Sequence, residues 1–257
     1  LDTVVAANLA GNDPAYMFGN AFYLSFDNYD LPATGFFNKL GNCTNLTNMF
    51  ALCGYSRGAG NYGKAPNGIA GLDSSGATTL ASMFYRARFD TSIDVSSWDL
   101  SSMTNMNRFM RETYGTTTLD FSSSGFTNAL TNMSDVVRQN PDVATITFGS
   151  GTSSNDFSNV TTWSHAFYLA NSLTSLEFPT NMSFASVTSA GMANFLTGGT
   201  MTDAQYDNLL VRFEATNSVN PGGAFRVNAY YTAGGAGETA RTALIARGWT
   251  FTDLGGR

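Results

Sequence analysis

The sequence predicts a single-domain α/β solenoid in which short parallel strands alternate with helical turns, capped at the C-terminal end. Three observations lead there. An eight-residue phrase, Φ-T-N-Φ-x-x-M-F with Φ apolar, recurs as "CTNLTNMF" (43–50), "ATTLASMF" (77–84), "MTNMNRFM" (103–110), "LTNMSDVV" (130–137), "VTTWSHAF" (160–167) and "SAGMANFL" (189–196). Four copies are followed, always nine residues past their last position, by a short Φ-x-Φ segment. From Met201 onward the repeat gives way to regular amphipathic patterning.

Residues 1–40 contain the aromatic-rich run "AYMFGNAFYLSFDNYDL". Two readings stand for this segment: an N-terminal cap, or a junction to an upstream region. "GNDPAYMF" (11–18) keeps only the end of the phrase. The chain begins at Leu1 without a leader-like pattern, which suggests a mature product or a fragment.

Residues 41–200 form the repeat region. Octet starts lie 32, 34, 26, 27, 30 and 29 residues apart, counting from position 11. Within an octet, positions 1, 4, 7 and 8 are apolar, which predicts one face of a short helix. Ser102, Thr104 or Asn105 is suited to cap that turn in the third copy. The following segments, "SIDV", "TLDF", "TITF" and "SLEF", alternate with period two and predict strands with Ile93, Leu119, Ile146 and Leu176 inward. One such unit cannot bury its apolar face alone, and stacked copies can. The Gly-rich stretch "SRGAGNYGKAPNG" (56–68) reads as an inserted loop.

Residues 201–257 form the predicted C-terminal cap. Tyr206, Leu209, Leu210 and Phe213 mark a helix begun by Thr202 or Asp203. "AFRVNAYY" is a strand, "GETARTALIARG" a second helix closed by Gly248, and "WTFTDL" a last strand with Trp249 and Phe251 inward.

Composition narrows the function. Of the 257 residues 43% are hydrophobic, enough for a substantial core, but only 12% are charged, against about 25% for ordinary soluble domains. The two lysines are Lys39 and Lys64. The outer surface is therefore built of Ser, Thr, Asn and Gly, which suits an extracellular or virion setting. The net charge of −6 and the lack of a basic stripe with interleaved aromatics argue against nucleic acid as a partner. No run of about 18 apolar residues predicts membrane insertion. Cys43 and Cys53 admit two readings, a single bridge or two buried small-residue slots of the repeat.

The phrases "MTNMNRFM" and "LTNMSDVV", and "MFYRARFDTSIDVSSWDLSSMTNM" (83–106) as nearly a whole unit, resemble the BspA-like leucine-rich repeat. The likeness covers about residues 40–200. It implies a leucine-rich-repeat-type solenoid in a bacterial surface protein or a phage tail appendage. It also implies a role in adhesion and recognition of a cell-surface glycan or protein; within a larger assembly, both a monomer and an oligomer fit the sequence.

The expected ligand-binding residues lie on the outward side of the strands. Asp94, Asp120, Thr147 and Glu177 form one expected column, and Ser92, Thr118, Thr145 and Ser175 another, with like positions about 4.8 Å apart in parallel register. Such a column fits a solvated ladder, ligand contact, a calcium site or paired acids alike; ligand contact without metal, cofactor or catalysis is the reading adopted. Tyr114 and Tyr168, with Tyr55, Tyr62 and Tyr85, fall in the connectors and are expected to add contacts. The lone histidine, His165, takes an outward octet position as an exposed polar residue, and no G-x-S-x-G elbow accompanies it. Trp98 and Trp163 are expected in the core. Three function classes fit the sequence: a non-enzymatic recognition module, a structural virion or surface-layer component without a free ligand, and a carbohydrate-active enzyme using Asp94 and Asp120. The first is preferred. Phe36 and Phe37 stand out as apolar residues in nominally outward places.

Overall fold

The computed structural model describes residues 37–54, 62–63, 65–66, 68–219 and 222–257. Phe36, Tyr55 and most of the 56–68 loop and of the 1–40 segment lie outside these residues. The described chain is mixed α/β with short parallel strands and few helices. The strands are β1 (Thr118–Asp120), β2 (Thr145–Thr147), β3 (Phe167–Tyr168), β4 (Ser175–Glu177), β5 (Leu196–Thr197), β6 (Ala224–Arg226) and β7 (Thr250–Thr252). The helices are α1 (Asp203–Thr216) and α2 (Ala236–Ala246), besides two 3₁₀ turns at Phe37–Lys39 and Ile69–Gly71.

The octets are not helical. Positions 4 to 11, running three residues past the octet, form two successive four-residue turns. In the first copy Met49 N–H bonds back to Leu46 C=O and Cys53 N–H to Phe50 C=O. The third residue of each turn, Asn48 (φ 58°) or Leu52 (φ 65°), has a positive φ, as type II turns require. The pattern persists at Ser82 and Arg86, Arg108 and Glu112, Asp135 and Gln139, His165 and Leu169, and Asn194 and Gly198. Two consecutive turns bring the same positions to one side as a helix does, so the apolar spacing fits both.

The hydrogen-bond destinations decide between them. At octet positions 4, 6, 8 and 10 the amides point sideways to the next copy rather than back along their own chain. Leu46, Asn48, Phe50 and Leu52 donate to the carbonyls of Thr79, Ala81, Met83 and Tyr85. The same four bonds recur at the four following junctions, ending with Trp163, His165, Phe167 and Leu169 on Gly191, Ala193, Phe195 and Thr197.

The threonine and asparagine of the phrase have separate tasks. Thr78, Thr104, Thr131, Thr161 and Thr188 each send both amide and hydroxyl to the carbonyl of the previous threonine in the series that starts at Thr44. Thr188 precedes the sixth octet, so that copy carries two extra residues between its threonine and its turns. At position 3, Asn45, Thr79, Asn105, Asn132 and Thr162 form parallel bridges. Each turns its side-chain oxygen onto the amide two residues ahead. Of the three cap candidates in the third copy, Asn105 is the one so used.

Strands β1, β2 and β4 pair in parallel, with Thr118↔Thr145↔Ser175 and Asp120↔Thr147↔Glu177 in register. "SIDV" does not join them. Ile93 and Val95 are buried as expected, but Ile93 N–H goes to Thr116 Oγ1 (3.3 Å) and Thr117 N–H to Ser92 Oγ (3.3 Å). Side-chain hydroxyls thus take the place of ladder partners.

Inside runs an aromatic file. Phe50 stacks on Phe84 (5.5 Å between centroids), Phe121 on Phe148 (5.4 Å) and Phe148 on Phe178 (5.3 Å). Trp98 and Trp163 are fully buried in it, and Cys43 and Cys53 occupy buried small-residue slots. Burial pushes the Cys53 thiol up to about 12. Phe37 is buried too, which corrects its assignment to an outward place.

Beyond residue 200 the helix–strand–helix–strand order is as expected. Thr202 and Gln205 form a reciprocal capping box on α1, which buries Tyr206, Leu209, Leu210 and Phe213. Gly248 (φ 84°) follows α2 in the left-handed conformation that ends a helix. β6 and β7 pair in parallel. Val227 bridges to Leu196 and donates to Thr252 C=O, joining β5 to this last sheet.

Candidate functional site

The strand face has two polar columns. Thr118 is exposed and Thr145, Ser175, Asp120, Thr147 and Glu177 are half-buried, standing at the inter-strand spacing of about 4.8 Å. The first column ends at Ser175, whose hydroxyl accepts from Gln205 Nε2 (2.9 Å), while Gln205 Oε1 accepts from Leu176 N–H (3.3 Å). Helix α1 thereby closes that side of the sheet.

Asp120 and Asp94 are occupied locally. Asp120 Oδ1 accepts from Ser122 N–H (2.9 Å). Asp94 Oδ1 accepts from both the amide (2.9 Å) and the hydroxyl (2.7 Å) of Ser96, and these bonds hold the Asp94 carboxyl below its ordinary value. Asp73, Asp99 and Asp156 cap the amide two residues ahead in the same way. Thr147 Oγ1 takes Gly149 N–H (3.2 Å). The Asp-x-Ser spacing explains the acids as turn caps. Asp94 and Ser92 therefore stand outside the three-strand ladder, a correction to the expected four-membered columns. Among the described residues no three His, Cys, Asp or Glu side chains converge as a metal site, and no helix is long and apolar enough to cross a membrane.

His165 is half-buried rather than exposed. Its ring is held between Ser164 Oγ on Nδ1 (2.8 Å) and Asn194 Nδ2 on Nε2 (3.0 Å). Burial first, and then Arg138, push its pKa below the ordinary 6.5.

The tyrosines lie elsewhere than the strand face, on the outer turns that follow each octet, and they are paired with arginines. Arg88 sits over the Tyr114 ring (4.7 Å), which also stacks on Tyr62 (6.1 Å). Arg138 sits over Tyr168 (5.3 Å), and Arg86 and Arg111 over Tyr85 (5.1 and 5.7 Å). Glu112 is shared by Arg86 (2.6 Å) and Arg111 (3.1 Å), and Asp135 pairs with Arg138 (3.0 Å). This basic, aromatic ledge is absent from the linear sequence as a run. Its signal is an arginine at the first or second position past the octet in three consecutive copies, "YRAR", "RE" and "RQ". Tyr114 and Tyr168 thus act first as supports for guanidinium groups.

Searches of curated proteins and of solved structures each found no match. The family described as "Mycoplasma protein of unknown function, DUF285" matches residues 16–148 and, in a second placement, residues 44–176. The second placement is the first advanced by 28 residues (44 against 16), a step within the range of the octet intervals. Together the two placements span more than half of the chain, and the chain belongs to this family.

Proposed function

We propose that the chain is a non-enzymatic extracellular recognition module, a BspA-like leucine-rich-repeat solenoid over residues 41–200 with 201–257 as its C-terminal cap. It would serve a bacterial surface protein or a phage tail appendage by binding a cell-surface glycan or protein. The observation that carries this reading is the in-register pairing of Thr118, Thr145 and Ser175 beside Asp120, Thr147 and Glu177. It sets hydroxyl and carboxylate groups in two columns at the strand spacing, a repetitive polar face for many weak contacts. Display of several copies multiplies such contacts. The local capping of Asp94 and Asp120 favours binding over acid–base chemistry.

The test is binding of the purified chain to a glycan array and to intact bacterial cells, with a Thr118→Lys, Thr147→Lys double variant as the probe of the strand face. Specific binding that the double variant loses supports the reading. Absence of binding to any glycan or cell, with assembly of the chain onto itself or onto a virion fraction, overturns it in favour of a structural component.

A further inference from the structure

We infer that the arginine ledge on the outer turns is a site for a linear anionic glycan, one carrying carboxylate or sulfate groups. The inference rests on the recognition reading above and names a ligand class for a second face.

The turns 81–88, 107–112 and 134–139 carry Arg86, Arg88, Arg108, Arg111 and Arg138 against Glu112 and Asp135. That is a local charge of +3 on a chain of −6, from five of its thirteen basic residues. The ladder aligns them. Arg86 N–H donates to Arg111 C=O (3.0 Å), Glu112 N–H to Arg138 C=O (2.8 Å) and Gln139 N–H to Tyr168 C=O (2.7 Å). Tyr85, Arg111, Arg138 and Tyr168 therefore hold the same position in four consecutive copies, a column of about 14 Å at the inter-strand spacing. The two central arginines rest on the two terminal rings. One carboxylate, Glu112, is shared by two guanidiniums, and Arg108 stands exposed beside them.

Guanidinium forks held in place match carboxylate and sulfate oxygens, and their ordering is already accomplished by the rings and the backbone ladder. A regular row of forks fits a polymer with an anionic group on each repeat. Nucleic acid is the less suitable polyanion. Single strands are held by bases stacked on open aromatic faces, whereas the Tyr85, Tyr114 and Tyr168 rings each already carry a guanidinium.

The experiment measures binding of the full chain to heparin, hyaluronan, neutral dextran and single-stranded DNA at low and moderate salt. Heparin tests sulfate with carboxylate, and hyaluronan tests carboxylate alone. Expected are salt-sensitive binding to one or both anionic glycans, none to dextran, and loss of about tenfold in affinity in an Arg111→Gln, Arg138→Gln double variant. Because that variant also breaks ion pairs and is able to disturb the fold, Glu112→Gln is measured beside it. Removing the competing acid should tighten binding severalfold, a gain that misfolding does not produce. No binding to either anionic glycan, equal binding of the double variant, or DNA bound as tightly as heparin overturns the inference. If cell binding survives the arginine variant but not the Thr118→Lys, Thr147→Lys variant, only this inference fails and the recognition reading stands.

Discussion

Asn105 and Asn132 face each other across a parallel bridge, and each caps its own chain, with Oδ1 at 2.9 Å from the amide N–H of Asn107 and of Ser134 respectively. The side chain thus fixes the turn whose next amide must reach the neighbouring copy. Asn132→Ala should destabilise the protein by about 1–2 kcal/mol, the range for losing a capping side chain. Asn132→Thr should cost less than half of that, since Thr79 and Thr162 do the same work in other copies. Thermal melts of the two variants separate these outcomes; equal losses would show that the cap contributes nothing.

Eleven described non-glycine residues sit at positive φ, Gln139 (55°) among them. An L-residue pays about 1–2 kcal/mol for that conformation, partly offset in a glycine variant by the entropy of a freer unfolded chain. Gln139→Gly should therefore be neutral or stabilising by up to about 1 kcal/mol, whereas Gln139→Val, β-branched at the same angle, should destabilise by more than about 1 kcal/mol. Urea midpoints give the order of the three proteins.

Phe148 is fully buried and contacts the rings of Phe121, Phe157, Trp163, Phe167 and Phe178. Phe148→Ala should cost about 3–5 kcal/mol and Phe148→Leu distinctly less, because leucine refills much of the cavity. A loss below about 1 kcal/mol on truncation to alanine, measured by chemical denaturation, would contradict the continuous core.

His165 gives a pH signature. Its pKa in the folded chain lies below the ordinary 6.5, so around and just below that value the unfolded chain holds more protons than the folded one. Its contribution is complete above the ordinary value and is lost as pH falls through 6.5 toward the folded-state value. The unfolding midpoint should fall between pH 7.5 and pH 5.5, and His165→Asn, which puts at this turn the residue found at Asn48 and Asn194, should flatten that slope.

The period and the strand segments were legible because the buried positions repeat: Leu119, Ile146 and Leu176 are central in β1, β2 and β4, and all are buried. Helix α1 and its Thr202 start were legible for the same reason and through the capping box. The conformation of the octets was not. Position 6 is filled by Asn, Ser, Arg, Asp and His, with no glycine to announce a left-handed residue, and the apolar spacing is shared with a helix. Asp94 was placed in a ladder by the constant offset of nine, but the hydroxyls of Thr116 and Ser92 intervene where the other copies use backbone. The arginine ledge is not legible in the linear sequence because its members are separated by about one copy each and meet only once the copies are paired.

The four sideways bonds at each junction have a consequence for length. Each copy offers amides at positions 4, 6, 8 and 10 and receives them on the carbonyls of positions 3, 5, 7 and 9, so the five junctions share one bonding pattern. Duplication or loss of one unit would leave these four backbone bonds available at the new junction, and the two family placements lie 28 residues apart, about one unit. Each added unit would lengthen the backbone ladder by about 4.8 Å through the same kind of contact.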